Sequence, residues 1–119
     1  MITHAIFDVD VFFCDIFDDI TLLNKKIDKH RINSKIYFFG AHIFSQFYLS
    51  NGINNLNIDG ILDNDKSKQN LRLYGTPCLV KNPEIIAKDT DVTVILRAGA
   101  YNDEITKQLI KLNPRCKIL

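Results

Sequence analysis

Short apolar runs alternate with segments of helical spacing over most of this chain. Apolar runs at residues 35–39, 58–62 and 92–96 predict strands, and the continuous run at 92–96 is typical of a buried parallel strand. Shorter runs at residues 78–80 and 116–119 predict two further strands. The pattern therefore predicts five strands from residue 35 onwards.

Helical spacing fills the gaps between these strands. Apolar residues recur at intervals of three and four over residues 42–50 and 102–112, which predicts two helices. Asn82 followed by Pro83 is the start signal of a third, because Asn caps the first turn and Pro fits its first position. This alternation favours an α/β fold, a three-layer Rossmann-like domain with a parallel five-stranded sheet. Because crossover connections are right-handed, we expect the strand order 3-2-1-4-5.

The first part of the chain has a different pattern. Residues 5–13 alternate apolar and acidic positions in a strand-like way, and helical spacing follows over residues 16–32. We interpret residues 1–34 as an N-terminal extension with a lead-in helix that covers the sheet. Residues 35–119 would then form the Rossmann-like domain.

Net charge, apolar run length and cysteine spacing argue against several classes of protein. The 119 residues carry a formal net charge of +1, from 15 basic and 14 acidic side chains, whereas nucleic-acid-binding surfaces need a basic excess. No apolar run reaches the ~20 residues that cross a bilayer, so we expect no membrane contact. Three widely spaced cysteines suit reduced thiols, and the N-terminus lacks the basic region of a secretory signal, so we expect a cytoplasmic protein. The scattered His and Cys residues predict no metal site.

The predicted sheet reverses its winding direction between strands 1 and 4. Ligands of such sheets bind at the carboxyl edge beside this reversal, where residues 40–42 and 97–101 should meet. Gly40 supplies one glycine of a G-x-G-x-x-G loop, and His42 and Ser45 replace the other two, which argues against tight NAD binding; we expect no cofactor. The free N–H groups of the following helix N-terminus suit a phosphate near Gly40, Ala41 and His42. The alternative is that Gly40 is only the turn residue between strand and helix.

Three further residues complete the predicted site. Asp63 follows strand 2, where an acid accepts hydrogen bonds from a ribose, although the sequence around it is also typical of a turn. Arg97 ends strand 4, and its guanidinium suits phosphate, a carboxylate or a sugar. Gly99 and Tyr101 follow in the same loop, where Tyr101 would stack on a base or sugar. The alternative is that Arg97 and Tyr101 are ordinary surface residues of a loop.

The N-terminal residues carry a rival signal. Residues 5–10 resemble motif I of the haloacid dehalogenase superfamily, an apolar strand followed by D-x-D, here Asp8 and Asp10. In that family the first carboxylate attacks phosphate and the second is the acid–base, with magnesium between them. Val11 and Phe12 depart from the residues usual there, and no lysine motif follows at a suitable distance. A phosphohydrolase that uses Asp8 and Asp10 stays an alternative.

Three segments resemble the Rossmann-like C-terminal domain of sugar C-methyltransferases. They are KIYFFGAHIFSQFYLSNG, IDGILDNDKSKQNLRLYGTPCLV and YNDEITKQL. Related modules stand before nucleotide-sugar dehydratases and sugar acyltransferases of surface-polysaccharide pathways. The chain departs from the pattern at His42, in place of a second glycine, and at Asn70, where glycine is common. It also lacks the S-adenosylmethionine loop and the cysteine zinc cluster of the complete methyltransferases.

This resemblance implies a non-catalytic domain that holds a nucleotide or nucleotide sugar during sugar modification in surface-polysaccharide biosynthesis. A neighbouring catalytic domain, of the methyltransferase type, would perform the transfer, so we do not expect the chain to be an enzyme by itself. A second alternative is a pure protein-interaction domain with an empty crevice, in which the N-terminal segment pairs two chains as a homodimer.

Overall fold

The computed structural model describes the backbone of residues 9–119 and the side chains of residues 15–119. Three α-helices and five strands alternate along these residues, with three short 3-10 helices between them. In chain order the elements are α1 (Val9–His30), β1 (Lys35–Phe39), α2 (Ile43–Ser50), a 3-10 helix (Asn55–Asn57), β2 (Gly60–Leu62), β3 (Val80–Lys81), a 3-10 helix (Pro83–Lys88), β4 (Val92–Leu96), a 3-10 helix (Gly99–Tyr101), α3 (Asn102–Leu112) and β5 (Lys117–Ile118).

The five strands form one parallel sheet in the order β3-β2-β1-β4-β5. Strands β1 and β4 are neighbours over their full length, with Phe39 opposite Leu96 at the carboxyl end. The predicted Rossmann-like α/β fold and its strand order are confirmed. The bounds of β1, β4 and α3 also agree with the sequence prediction.

Three strands are shorter than the sequence predicted, and the third of them, β5, spans Lys117–Ile118 where residues 116–119 were predicted. Strand β2 begins at Gly60, because the Asp59 carboxylate accepts the N–H of Ile36 at 2.8 Å in place of a strand carbonyl. Strand β3 begins at Val80, because the preceding residues pair backwards in a hairpin: Leu73 N–H donates to the Cys78 carbonyl at 2.9 Å. The segment after Asn82 is capped as predicted, by the Asn82 side chain and with Pro83 first, but it forms a 3-10 helix.

The predicted N-terminal strand is wrong from Val9 onwards, because α1 begins there and ends at His30. The apolar residues from Val9 to Phe13 alternate, but together with Ile16 and Ile20 they also recur at intervals of three and four, and the helical period prevails. Asp10 therefore lies within a helix, whereas the dehalogenase motif needs a strand. Residues 5–8, with Asp8, lie outside the described residues.

Helices cover both faces of the sheet. Alternate strand residues point to opposite faces, so Ile36 and Phe38 pack against α1 and α2, whereas Tyr37 and Phe39 pack against α3 and the Pro83–Lys88 helix. Helix α1 contributes four buried residues to the first of these cores: Ile16, Ile20, Leu23 and Ile27. The lead-in helix is thus one layer of the fold, and its Asp19 reaches Arg97 directly after β4.

Candidate functional site

A cleft of about 370 Å³ opens at the carboxyl edge of β1 and β4. The chain leaves β1 towards α2 on one face and leaves β4 towards α3 on the other, so the two connections diverge and open a crevice. The described residues that line it come from α1, α2 and the segment after β4: Ile16, Phe44, Tyr48, Arg97, Gly99 and Asn102. The topology therefore places a cleft where the winding direction reverses.

The turn after β1 is closed by His42. Gly40 has a φ of +103°, a region that favours glycine, and a Cβ there would lie 2.4 Å from His42 Nε2. The His42 side chain caps α2, its Nδ1 accepting the N–H of Ser45 at 3.5 Å. Burial lowers the pKa of His42, which favours the neutral imidazole that this acceptor role requires. The imidazole thus packs over Gly40, beside the backbone that we expected to approach a phosphate.

Asp63 also closes this turn. Its Oδ2 accepts the N–H of Ala41 at 2.8 Å, and its Oδ1 accepts the N–H of Asp65 at 2.8 Å. The Ala41 N–H, which we expected to be open to a phosphate, is therefore paired with a carboxylate of the chain. Asp63 therefore stabilises the turn, as one of the two interpretations predicted. Each of its carboxylate oxygens can still accept a further hydrogen bond, so a contact with a ribose stays a prediction.

Arg97 does not present a free guanidinium to the cleft. Its Nε and Nη2 donate to the two carboxylate oxygens of Asp19, at 2.8 and 2.9 Å. Its Nη1 donates to the carbonyls of Leu96 and Leu119, both at 2.9 Å. A carboxylate from α1 thus takes the bidentate face of Arg97, and the role of Arg97 in binding a phosphate or sugar stays a prediction.

Tyr48 completes a polar cluster with Asp19 and Arg97, which we call the Asp19 cluster. The Tyr48 hydroxyl donates to Asp19 Oδ2 at 2.6 Å, and burial together with this bond raises the pKa of Tyr48 to about 12. The hydrogen bond from Arg97 lowers the pKa of the Asp19 carboxyl, so the pair is ionised at neutral pH. The Asp19 cluster ties α1, α2 and the end of β4 together beneath the cleft.

The loop after β4 supplies the remaining wall. Gly99 lines the cleft, and a Cβ at this position would meet no atom within 4 Å. Asn102 Oδ1 accepts the N–H of Ala98 at 2.7 Å, and the Nδ2 of Asn102 has no acceptor among the described residues. Tyr101 is 65% exposed and is not among the described residues that line the cleft. Of the predicted loop residues, Gly99 and Arg97 border the cleft and Tyr101 lies outside it.

Sequence reasoning missed most of the cleft wall. Phe44 and Tyr48 were recognised only as part of the apolar pattern of a helix, and Ile16 as part of another. Asp19 gave one usable signal: it lies between Ile16 and Ile20, next to the apolar stripe of α1, where an acid needs a partner. Nothing in the sequence identified Arg97 as that partner.

Other features lie away from this edge. A larger depression, of about 910 Å³, lies at the opposite, amino edge of the sheet, around Lys35 and Asp91. Within residues 15–119 no group of three or more His, Cys, Asp or Glu side chains is arranged to hold a metal ion. Among the described helices none is long and apolar enough to cross a membrane. Cys78 and Cys116 are buried free thiols, and burial raises the pKa of both, that of Cys116 to about 11.

Comparison with known proteins found no match: no family model, no curated protein and no solved structure is significantly similar to this chain. Fold and cleft define the class, a Rossmann-like α/β domain with a crevice at the reversal of its sheet. The resemblance to sugar C-methyltransferase domains stays a prediction from the sequence.

Proposed function

We propose that this chain is a non-catalytic binding domain for a nucleotide or nucleotide sugar. The observation that carries the proposal is the cleft of about 370 Å³ at the carboxyl ends of β1 and β4. This is the position at which doubly wound sheets bind nucleotides, and the volume is within the range of small-molecule sites. The resemblance to sugar C-methyltransferase domains, which rests on the sequence, points to the same ligand class.

The wall of the cleft is better suited to binding a flat ring than to catalysing a reaction. Phe44 and Tyr48 offer aromatic surface, Gly99 leaves one side open to close approach, and Asn102 offers an amide donor. The ionisable groups described beside the cleft are engaged with one another: Asp19 with Arg97, and Tyr48 with Asp19. A binding role fits this arrangement better than acid–base chemistry, which needs a group free to exchange a proton with the ligand.

The wider role follows from the resemblance and is part of the same proposal. The domain would hold a nucleotide sugar in the cytoplasm while a partner catalytic domain modifies the sugar, in the biosynthesis of a surface polysaccharide. The ribose of the ligand would contact the remaining lone pairs of Asp63, beside Ala41.

Ligand-dependent stability tests the proposal. We expect uridine, thymidine, UDP-glucose or TDP-glucose to raise the melting temperature, because a ligand at 100 times its Kd stabilises the folded state by about 2.7 kcal/mol. Phe44→Ala should weaken binding by about fivefold to 150-fold, since base–aromatic contacts are worth ~1–3 kcal/mol each.

Phe17→Ala is the matched control. Phe44 and Phe17 are similarly exposed, at 49% and 44%, but only Phe44 is among the described residues that line the cleft. The control should bind like the unmodified chain. Melting curves that none of the four ligands shifts would contradict the proposed function.

A further inference from the structure

Carboxylates of the chain itself occupy both groups that the sequence predicted to donate to a phosphate, the Ala41 N–H and the Arg97 guanidinium. Of these two residues, Arg97 lines the cleft and Ala41 is not among the described residues of its wall. At the turn after β1, the N–H of Ala41 donates to Asp63 Oδ2 at 2.8 Å. At the end of β4, Arg97 donates to both oxygens of Asp19, at 2.8 and 2.9 Å. These are the donors to which a Rossmann-like site would direct a phosphate.

A phosphate that entered the cleft would meet two costs. It would have to displace Asp19 from a bidentate pair, which leaves a partly buried carboxylate whose remaining hydrogen-bond partner among the described residues is the Tyr48 hydroxyl. It would also stand beside the negative charge of Asp19, which repels it at close range. Binding of an uncharged group meets neither cost, because it leaves both internal pairs in place.

The other lining groups among the described residues carry no charge. Ile16, Phe44 and Tyr48 offer apolar and aromatic surface, and Gly99 offers an open backbone. Asn102 offers an Nδ2 donor that has no acceptor among the described residues, which suits a carbonyl oxygen or ring nitrogen of a base. A flat ring with one or two acceptors fits this set of contacts, whereas a sugar would leave most of its hydroxyls against apolar walls.

We propose that the cleft binds the nucleoside end of the ligand, with the nucleobase innermost, and leaves the phosphates outside in solvent. This inference rests on the proposed function and specifies the part of the ligand that the site recognises. The Asp19 cluster then acts as a filter, because its internal carboxylate neutralises the one arginine that borders the cleft among the described residues.

The first test compares matched probes by isothermal titration calorimetry: uridine with UDP, and thymidine with TDP, at low and high salt. We expect each pair to bind within about threefold of one another and to respond weakly to salt, because exposed phosphates are screened. A diphosphate that binds more than about tenfold tighter than its nucleoside would overturn the inference while the proposed function stands. Absence of binding by all four probes would remove the proposed function, and the inference with it.

The second test releases Arg97. Asp19→Asn keeps the shape of the carboxylate but removes its charge, so the guanidinium becomes available to a phosphate. We expect UDP to bind about tenfold tighter to this variant than to the unmodified chain, as for one added charge-assisted hydrogen bond, while uridine affinity stays the same. An unchanged UDP affinity in the folded variant would overturn the inference.

Asp18→Asn is the matched control. Asp18 is the neighbouring acid on α1, is exposed and lies outside the described wall of the cleft. The variant makes the same change in net charge, so its ratio of UDP to uridine affinity should equal that of the unmodified chain. Circular dichroism checks that both variants fold. Should Asp19→Asn fail to fold, the salt series of the unmodified chain decides the inference by itself.

Discussion

Asp19 gives Arg97 a structural role, because its carboxylate pairs with the Arg97 guanidinium. Arg97 directly follows a buried strand at the reversal of the sheet, a position typical of a ligand-binding residue. No sequence pattern pairs it with Asp19, an acid 78 residues earlier. In the fold, α1 brings the Asp19 carboxylate to both the guanidinium and the Tyr48 hydroxyl. A residue whose type and position indicate a ligand contact thus serves to join α1 to the sheet.

The pH dependence of stability follows from this pair. The hydrogen bond from Arg97 lowers the pKa of Asp19 below its ordinary value, so the folded state binds the proton less readily than the unfolded chain. The pair therefore stabilises the fold fully above the unfolded pKa, about 3.9, and this contribution disappears as the pH falls through the lower, folded value.

Urea unfolding between about pH 7 and pH 2 measures this contribution. The difference in unfolding free energy between the unmodified chain and Asp19→Asn should be constant at neutral pH and shrink below about pH 4. Asp18→Asn, which removes an exposed acid of the same helix, should show no comparable difference. A difference between Asp19→Asn and the unmodified chain that persists at the lowest pH would mean that the ion pair is not its source.

At the scale of elements, α1 carries more of the structure than a linker helix would. Its inner residues share one core with β1 and α2, and its Asp19 reaches the end of β4. The outer face of the same helix is polar, apart from partly exposed residues such as Phe17 and Leu22. The helix is amphipathic in the way of a core layer, since its apolar stripe faces the sheet.

Two adjacent leucines test the role of α1. Leu23 is 1% exposed and packs in the core, whereas Leu22 is 52% exposed on the outer face. Leu23→Ala should lower the unfolding free energy by about 2–5 kcal/mol, because it removes buried methyl groups and leaves a cavity. Leu22→Ala should change it by less than about 0.5 kcal/mol. Equal, small effects at both positions, measured by urea unfolding, would show that α1 does not pack on the sheet in solution.

At the scale of the whole molecule, the sequence pattern predicts the sheet. For the candidate site it predicts the location but not the chemistry. The runs that became β1 and β4 are continuous and apolar, so their type, direction and adjacency follow from sequence pattern and right-handed crossovers. The position of the cleft follows from that adjacency. Its chemistry did not follow, because the partner of Arg97 is a carboxylate distant in sequence, that of Asp19.

The prediction of an N-terminal strand was wrong from Val9 onwards for a different reason. Apolar and acidic residues near Val9 fit both a period of two and a period of three to four, and only the packing of the later turns of α1 on the sheet decides between them. Short strands were misplaced by one or two residues where side chains such as Asp59 replace backbone partners. Such local competition is invisible to hydrophobic pattern alone.

The same packing makes a prediction about the smallest part of the chain that folds. Residues 35–119, taken alone, contain the five strands that the structure describes but lose α1, which exposes the sheet face around Ile36 and Phe38 to water. Each of the four buried α1 residues contributes about 1.5–3 kcal/mol of burial, comparable in sum to the entire stability of a small domain. We therefore expect a fragment of residues 35–119 to lack a cooperative unfolding transition and to bind a hydrophobic dye such as ANS.

Adding a peptide of residues 9–34 should restore the transition, since α1 would dock again through the same residues. A fragment that unfolds as cooperatively as the full chain, with no response to the peptide, would establish residues 35–119 as an independent domain and α1 as an appendage to it.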